Sequence, residues 1–203
     1  MKVNVNFNKN EFKALETMET ARQFLNVRLV NKKKCVDEVY RSARYYGFPD
    51  LVIVPVITTD VLGSHVTMKI TEEVLKSWGV TKRKVIDAAL ANVNYTIEDL
   101  KDRLAKMMGG LPDDFESPFI VVSNESCFYG AVAILKARKE LDRMFPGGYY
   151  VIPSSVHEVL VLPKHLNIEG LVTDEDEIKQ IINEVNTHVL EDGEYLSDQL
   201  YSF

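Results

Sequence analysis

Apolar positions along this chain alternate every second residue in some stretches and recur every three to four in others. The switches between the two periods lay out its elements. Val3, Val5 and Phe7 alternate with polar residues and predict a short strand. Residues 11–25 carry Phe12, Leu15, Ala21 and Leu25 at helical spacing, with Asn10 as a plausible N-cap. Residues 27–30 read as a second strand. Cys35, Val36, Val39, Ala43 and Tyr46 then predict a helix that Gly47 and Pro49 end. Its first turn would carry Lys32, Lys33 and Lys34, a mildly unfavourable match to the helix dipole. Residues 51–57 form a buried strand in which Pro55 requires an edge or a bulge. Gly63 and Ser64 turn the chain into a return strand over 65–70.

A helical block follows at 71–108. Thr71 opens a helix with Val74, Leu75 and Trp78, stopped by Gly79. Thr81 opens the next, with Val85, Ile86, Ala89 and Leu90. Thr96 and Asp99 look like a capping box for a third, whose stripe is Ile97, Leu100, Leu104, Met107 and Met108. The stretch 109–118, rich in glycine, proline and acid, is the best internal sub-boundary within one domain spanning 1–203. Residues 119–123 form a strand, 131–145 a helix and 149–152 another strand. This β-α-β unit implies parallel neighbouring strands. Pro153, Ser154 and Ser155 then turn the chain into an antiparallel run over 158–162. Thr173 and Asp176 cap a last helix bearing Ile178, Ile181, Ile182, Val185 and Val189. The tail carries Leu196, Leu200, Tyr201 and Phe203, apolar enough to pack back. The fold class is therefore α/β or α+β. It has a mixed sheet containing the β-α-β unit near 119–152, a C-terminal hairpin and helix, and the helical block at 71–108.

Composition narrows the function classes. The 203 residues are 46% hydrophobic and 27% charged, which suits an ordinary globular domain long enough to bury a core. The formal net charge of −6 argues against a nucleic-acid partner. Two cysteines, Cys35 and Cys127, make no disulfide framework, and a reducing cytoplasm is the simplest compartment. No run of 18 apolar residues exists to span a membrane.

Chemistry concentrates in the turn 153–158. Ser155 is a candidate nucleophile with His157 as base, and Cys127 is a second candidate if it lies near a helix N-terminus. Ser123, Asn124, Ser154, Ser155, His157 and Glu158 are the ligand-binding candidates. If 119–123 and 149–152 are parallel neighbours, the loops that follow them lie at one sheet edge, where sites form. His157 and Glu158, adjacent on a strand, would face opposite ways and could not share a site. His157-Glu158-Val159-Leu160-Val161 lacks the second histidine of a zinc protease helix, and 124–130 is not a phosphate-binding loop. No metal or cofactor is expected. Trp78 reads as a core anchor, His65 and His188 as structural or solvent-facing, and Asp174 to Glu177 as charge matched to a helix start.

Arg28-Leu29-Val30-Asn31, Trp78-Gly79-Val80, Gly130-Ala131, Pro153-Ser154-Ser155-Val156-His157-Glu158-Val159, Glu184-Val185-Asn186 and Leu196-Ser197-Asp198-Gln199-Leu200-Tyr201 occur here in order. This series resembles an uncharacterised domain-of-unknown-function family of Gram-positive gut bacteria, over residues 28–201. The resemblance implies one fold and one candidate site, and carries no reaction. Two functions stay open. One is a non-catalytic module that binds a protein or small-molecule partner, suggested by the lack of a complete catalytic motif. The other is a hydrolase or transferase that uses Ser155 or Cys127 with His157.

Overall fold

The computed structural model describes residues 15–36, 38–45, 47–61, 64–112, 114–164, 175–188 and 193–203. The strand expected at 3–7, the start of the first helix and the cap at Thr173 lie outside them. The described chain is α+β, with helices set against two sheets, as its periodicity implies.

The first sheet is built on β3 (Phe48–Val61). β1 (Leu25–Asn31) runs antiparallel along one side of it, Leu25 opposite Ile57 and Asn31 opposite Leu51. Along the other side lie β2 (Arg44–Tyr45) and β4 (Ser64–Lys69) in series. Pro55 falls between the residues of β3 that pair with β2 and those that pair with β4. A residue without an N–H is tolerated at such a gap. β1 is buried at Leu25, Val27, Leu29 and Asn31 and half-buried between them, the period of two that a strand requires.

The helix expected over 35–46 does not form. The segment makes a turn at Lys32–Lys34 and a 3-10 turn at Glu38–Tyr40. Tertiary bonds outweigh its helical spacing. The Cys35 carbonyl accepts from Arg41 Nε, and the Ala43 carbonyl accepts from Ile53 N of β3. Val36 is left 69% exposed, while the Tyr40 hydroxyl donates to the Ile70 carbonyl from a buried position.

α1 (Met18–Ala21) is a short helix capped by Thr17. α2 (Glu72–Trp78) ends on Gly79 in the left-handed region, and α3 (Lys82–Ala91) starts on Thr81, as expected. Trp78 packs against the core and donates from its indole to the Leu15 carbonyl. Thr96 and Asp99 differ from expectation. They bound an edge strand, β5 (Thr96–Asp99), and α4 (Leu100–Met108) begins one turn later. β5 pairs with β6 (Ile120–Ser123), and the Leu100 N–H donates to the Phe119 carbonyl, so sheet pairing takes the backbone that a capping box would have used. Met107 and Met108 are 74% and 70% exposed and leave the expected apolar stripe.

The second sheet has the order β5-β6-β8-β7-β9, with β7 (Tyr149–Ile152), β8 (Val159–Pro163) and β9 (Tyr201–Ser202). Every ladder is antiparallel, so the expected mixed sheet with β6 and β7 side by side is corrected. β6 and β7 run in the same direction but β8 lies between them. The reason is the tight turn after β7. A short connection forces β8 back antiparallel against β7, and it takes the place beside β6. The crossing segment, a 3-10 turn at Gly130–Ala133 running into α5 (Ile134–Met144), thus makes a split β-α-β unit. α6 (Glu175–His188) sets Ile178 and Ile182 on Ile152 and Leu162. One larger core joins both sheets, from Leu25, Val27 and Ile53 to Val122, Val151 and Val161.

Candidate functional site

β6 and β7 end at the same edge, so the loops 124–129 and 153–158 still meet although β8 separates the strands. Ser123 Oγ donates to the His157 carbonyl at 2.8 Å, and the Ala131 N–H donates to the Val156 carbonyl at 3.2 Å. Gly130 lies under this contact. A β-carbon there would overlap Ser123 Oγ and the His157 carbonyl and stand 2.8 Å from the Asn124 nitrogen. Only glycine permits so close an approach.

The 124–129 loop is held by one buried side chain. Asn124 Oδ1 accepts from Ser126 Oγ and the Phe128 N–H, and Asn124 Nδ2 donates to the Phe128 carbonyl at 2.9 Å. Cys127 and Tyr129 sit at φ 54° and 51°, a left-handed conformation costly for residues with side chains. This geometry places Phe128 and Tyr129 beside His157. The Tyr129 and His157 rings stack at 5.8 Å with 15° between planes, and Phe128 lies 5.7 Å from the imidazole.

His157 is held through one ring nitrogen. Its Nδ1 accepts from the Tyr129 N–H at 3.3 Å, and Nε2 faces Glu194 Oε1 at 3.7 Å, beyond hydrogen-bond distance. Its backbone N–H donates to Ser155 Oγ at 3.0 Å. Ser155 is buried, and its own N–H donates to the Glu158 carbonyl. Ser154 is half-buried, with its N–H on the Ile152 carbonyl. Ser155 and His157 are thus brought together, but through the backbone of one and the hydroxyl of the other.

Glu158 parts company with His157, but not through strand alternation, because both residues lie in the turn before β8, which starts at Val159. The Glu158 carboxylate meets Arg103 Nη2 at 2.7 Å, and Arg103 Nη1 meets Glu98 at 2.9 Å, with Lys106 on the other oxygen of Glu98. Burial works to lower the Arg103 pKa, but the hydrogen bond to Glu98 and the charge of Glu158 outweigh it and raise it. Glu98 is held below the usual carboxylate range by its bond to Lys106, against burial, with Arg103 adding to the effect. Cys127 is exposed and lies on this side, 3.5 Å from Arg103 Nη2. It joins Arg103, while His157 joins Tyr129 and Glu194.

Four places absent from the candidate residues close the site: Asn31, Asp50, Asn186 and the segment 194–201. The Val156 N–H donates to the Glu194 carbonyl, and Asn31 Nδ2 donates to the Leu196 carbonyl from a buried position. Asp50 accepts from Ser197 Oγ at 2.5 Å and from the Tyr201 hydroxyl at 2.8 Å. Asn186 Nδ2 donates to the Ser197 carbonyl and to Asp198, which also accepts from Tyr195. Burial raises the Tyr201 phenol, as does Asp50; burial and Asp198 push Tyr195 up to about 12. The segments 28–31, 130–131, 153–159, 184–186 and 196–201 therefore meet in one neighbourhood. Their order in sequence was the signal available for this, but not the contacts. Asp50 and Glu194 carried no signal of their own.

Among the described residues no group of three or more His, Cys, Asp or Glu side chains is placed to hold a metal ion. No helix among them is long and apolar enough to cross a membrane. Cys35 is buried, and neither cysteine is part of a disulfide.

Fold and site define an α+β protein in which two antiparallel sheets share one core and the C-terminal segment is tied to the first sheet through Asn31 and Asp50. The chain belongs to a family of unknown function, DUF5688, whose model matches residues 1–203. No curated protein and no solved structure matches it.

Proposed function

We propose that the chain is a non-catalytic binding module whose partner is a protein or a small molecule rather than a nucleic acid. One observation carries this reading. His157 accepts a backbone N–H on Nδ1, and Ser155 Oγ accepts the backbone N–H of His157 rather than giving its proton to the ring. A serine nucleophile needs its hydroxyl on a free imidazole nitrogen. Here the imidazole positions the 124–129 loop and the serine shapes the turn. The net charge of −6 supports the choice of partner class. A reducing cytoplasm is supported by two cysteines outside any disulfide.

The experiment is active-site labelling of the intact chain with a fluorophosphonate for serine, read by mass spectrometry. No adduct on Ser155 is expected. A stoichiometric Ser155 adduct that disappears in a folded His157→Ala variant would make the protein a hydrolase or transferase instead. For the compartment, thiol titration of the unfolded, unreduced protein should find two thiols, and finding none would place the chain in an oxidising compartment.

A further inference from the structure

Arg28 stands at the centre of β1, opposite Val54 of β3. It is half-buried, and its guanidinium carbon lies 5.4 Å from the centre of the Tyr129 ring. That ring is the one His157 stacks on. Arg28 Nε is shut away from solvent and has no hydrogen-bond partner. Among the described residues no carboxylate pairs with this guanidinium. An arginine always carries its charge and five donors, so leaving it unpaired in a half-buried place is costly.

Two other arginines show what the fold does when a guanidinium is structural. Arg103, also half-buried, is taken up by Glu98 and Glu158. Arg138 has a buried, unpartnered Nε too, but its guanidinium carbon lies only 4.0 Å from the centre of the Phe203 ring. The ring contact of Arg28 is looser, at 5.4 Å. A buried polar group without a partner asks for one, and the partner that suits a planar fork is an oxyanion. The strained Tyr129 supplies the second half of such a site. Held at φ 51°, it sets an aromatic wall beside the cation, continued by Phe128 and His157.

We propose that Arg28, with the rings of Tyr129 and His157, forms a binding site for a ligand bearing a carboxylate or a phosphate. The oxyanion takes the guanidinium fork, and the body of the ligand lies against the rings. This names the ligand class of the binding module argued above and rests on that reading. The two fail differently. A Ser155 adduct overturns the binding reading, whereas the ligand class stands or falls on Arg28.

The test uses the full chain, with inorganic phosphate and succinate as separate probes. Amide and imidazole NMR shifts are followed in the wild type, Arg28→Met and Arg28→Lys. Binding of one probe should move the Tyr129 amide and the His157 ring together. It should weaken roughly tenfold or more in Arg28→Met, and by less in Arg28→Lys, which keeps charge but not the fork. Response to phosphate alone assigns a phosphate ligand, and response to succinate alone a carboxylate ligand. Shifts scattered over the surface and unchanged in either variant would mean adventitious anion binding only and overturn the site. So would the absence of any Tyr129 response to both probes. Should Arg28→Met fail to fold, wild-type binding retained in full by Arg28→Lys would overturn the bidentate role.

Discussion

The two sides of the His157-Glu158 turn handle charge in opposite ways. On the Glu158 side, Arg103 is held between two carboxylates, and Lys106 completes the balance. On the His157 side, Arg28 lies against a ring with its Nε unpaired. Both residues are half-buried, one on β1 and the other on α4. Compensated charge of the first kind ties β5, α4 and the start of β8 together, and a protein needs no ligand to explain it. Uncompensated charge of the second kind adds nothing evident to the fold. The contrast sets a paired guanidinium beside an unpaired one within one small neighbourhood, and it can be tested from both sides.

The largest effect should come from the hinge between the sides. Gly130→Ala forces a β-carbon against Ser123, the His157 carbonyl and the Asn124 nitrogen, two of which are backbone and cannot yield. It should cost about 3 kcal/mol in urea denaturation, and a loss below the error of the measurement would mean that the loops do not meet as described. Arg103→Met comes next. It leaves Glu158 without its cation and Glu98 with Lys106 alone, in a half-buried place, and should cost roughly 2 kcal/mol, less than for a fully buried pair because water still reaches them.

The acid limb sharpens this. The folded-state pKa of Glu98 is lowered, so its contribution is complete above the ordinary value of about 4.3 and fades as pH falls through the lowered value. Stability measured from pH 5 down to pH 3 should therefore fall more gently in Arg103→Met than in the wild type. Parallel curves would mean that Lys106 alone sets the Glu98 titration.

On the other side, His157→Ala removes the acceptor for the Tyr129 N–H and should lower stability by roughly 1–3 kcal/mol. Ser155→Ala removes the acceptor for the His157 N–H and should cost roughly 0.5–1.5 kcal/mol. Melting midpoints unchanged in both variants would sink the structural role of the turn. The smallest change belongs to Arg28→Met. It should leave the melting temperature near the wild-type value or raise it, because a charge kept for binding need not stabilise the fold. A loss as large as that of Arg103→Met would erase the distinction between the two sides.

Much of this was legible in the sequence, and the failures have physical causes. The β3–β4 and β7–β8 hairpins, α2, α3 and the inward-packing tail follow from period, caps and turn residues. The helix at 35–46 and the capping box at Thr96 were misread because local signals lost to backbone pairing with distant strands. The adjacency of β6 and β7 failed for a related reason. Periodicity tells that a strand exists, but not which neighbour it takes. At the site, the turn 153–158 was readable from its residues, whereas the parting of His157 from Glu158 has another cause than the expected one, since both lie in the turn before β8. The partners were not readable. Arg103 reaches Glu158 from α4 and Arg28 reaches Tyr129 from β1, and nothing in their own sequence neighbourhoods distinguishes the paired arginine from the unpaired one.

The closure of the site across the chain carries a kinetic consequence. Asn31 meets Leu196 over 165 residues of sequence, Asp50 meets Tyr201 over 151, and Ser197 reaches Asp50 over 147. Bringing such distant segments together costs loop entropy before any contact repays it, and antiparallel sheets with these separations fold slowly. The hairpins β3–β4 and β7–β8 can zip early on their own. The bonds from Asn31, Asp50 and Val156 to the 194–201 segment must then close late, after both sheets are largely built. During refolding, amide protection should reach β3 and β7 well before the Val156 N–H. A half-folded chain would therefore hold its hairpins and still lack the ties from Asn31, Asp50 and Val156 that fasten the C-terminal segment.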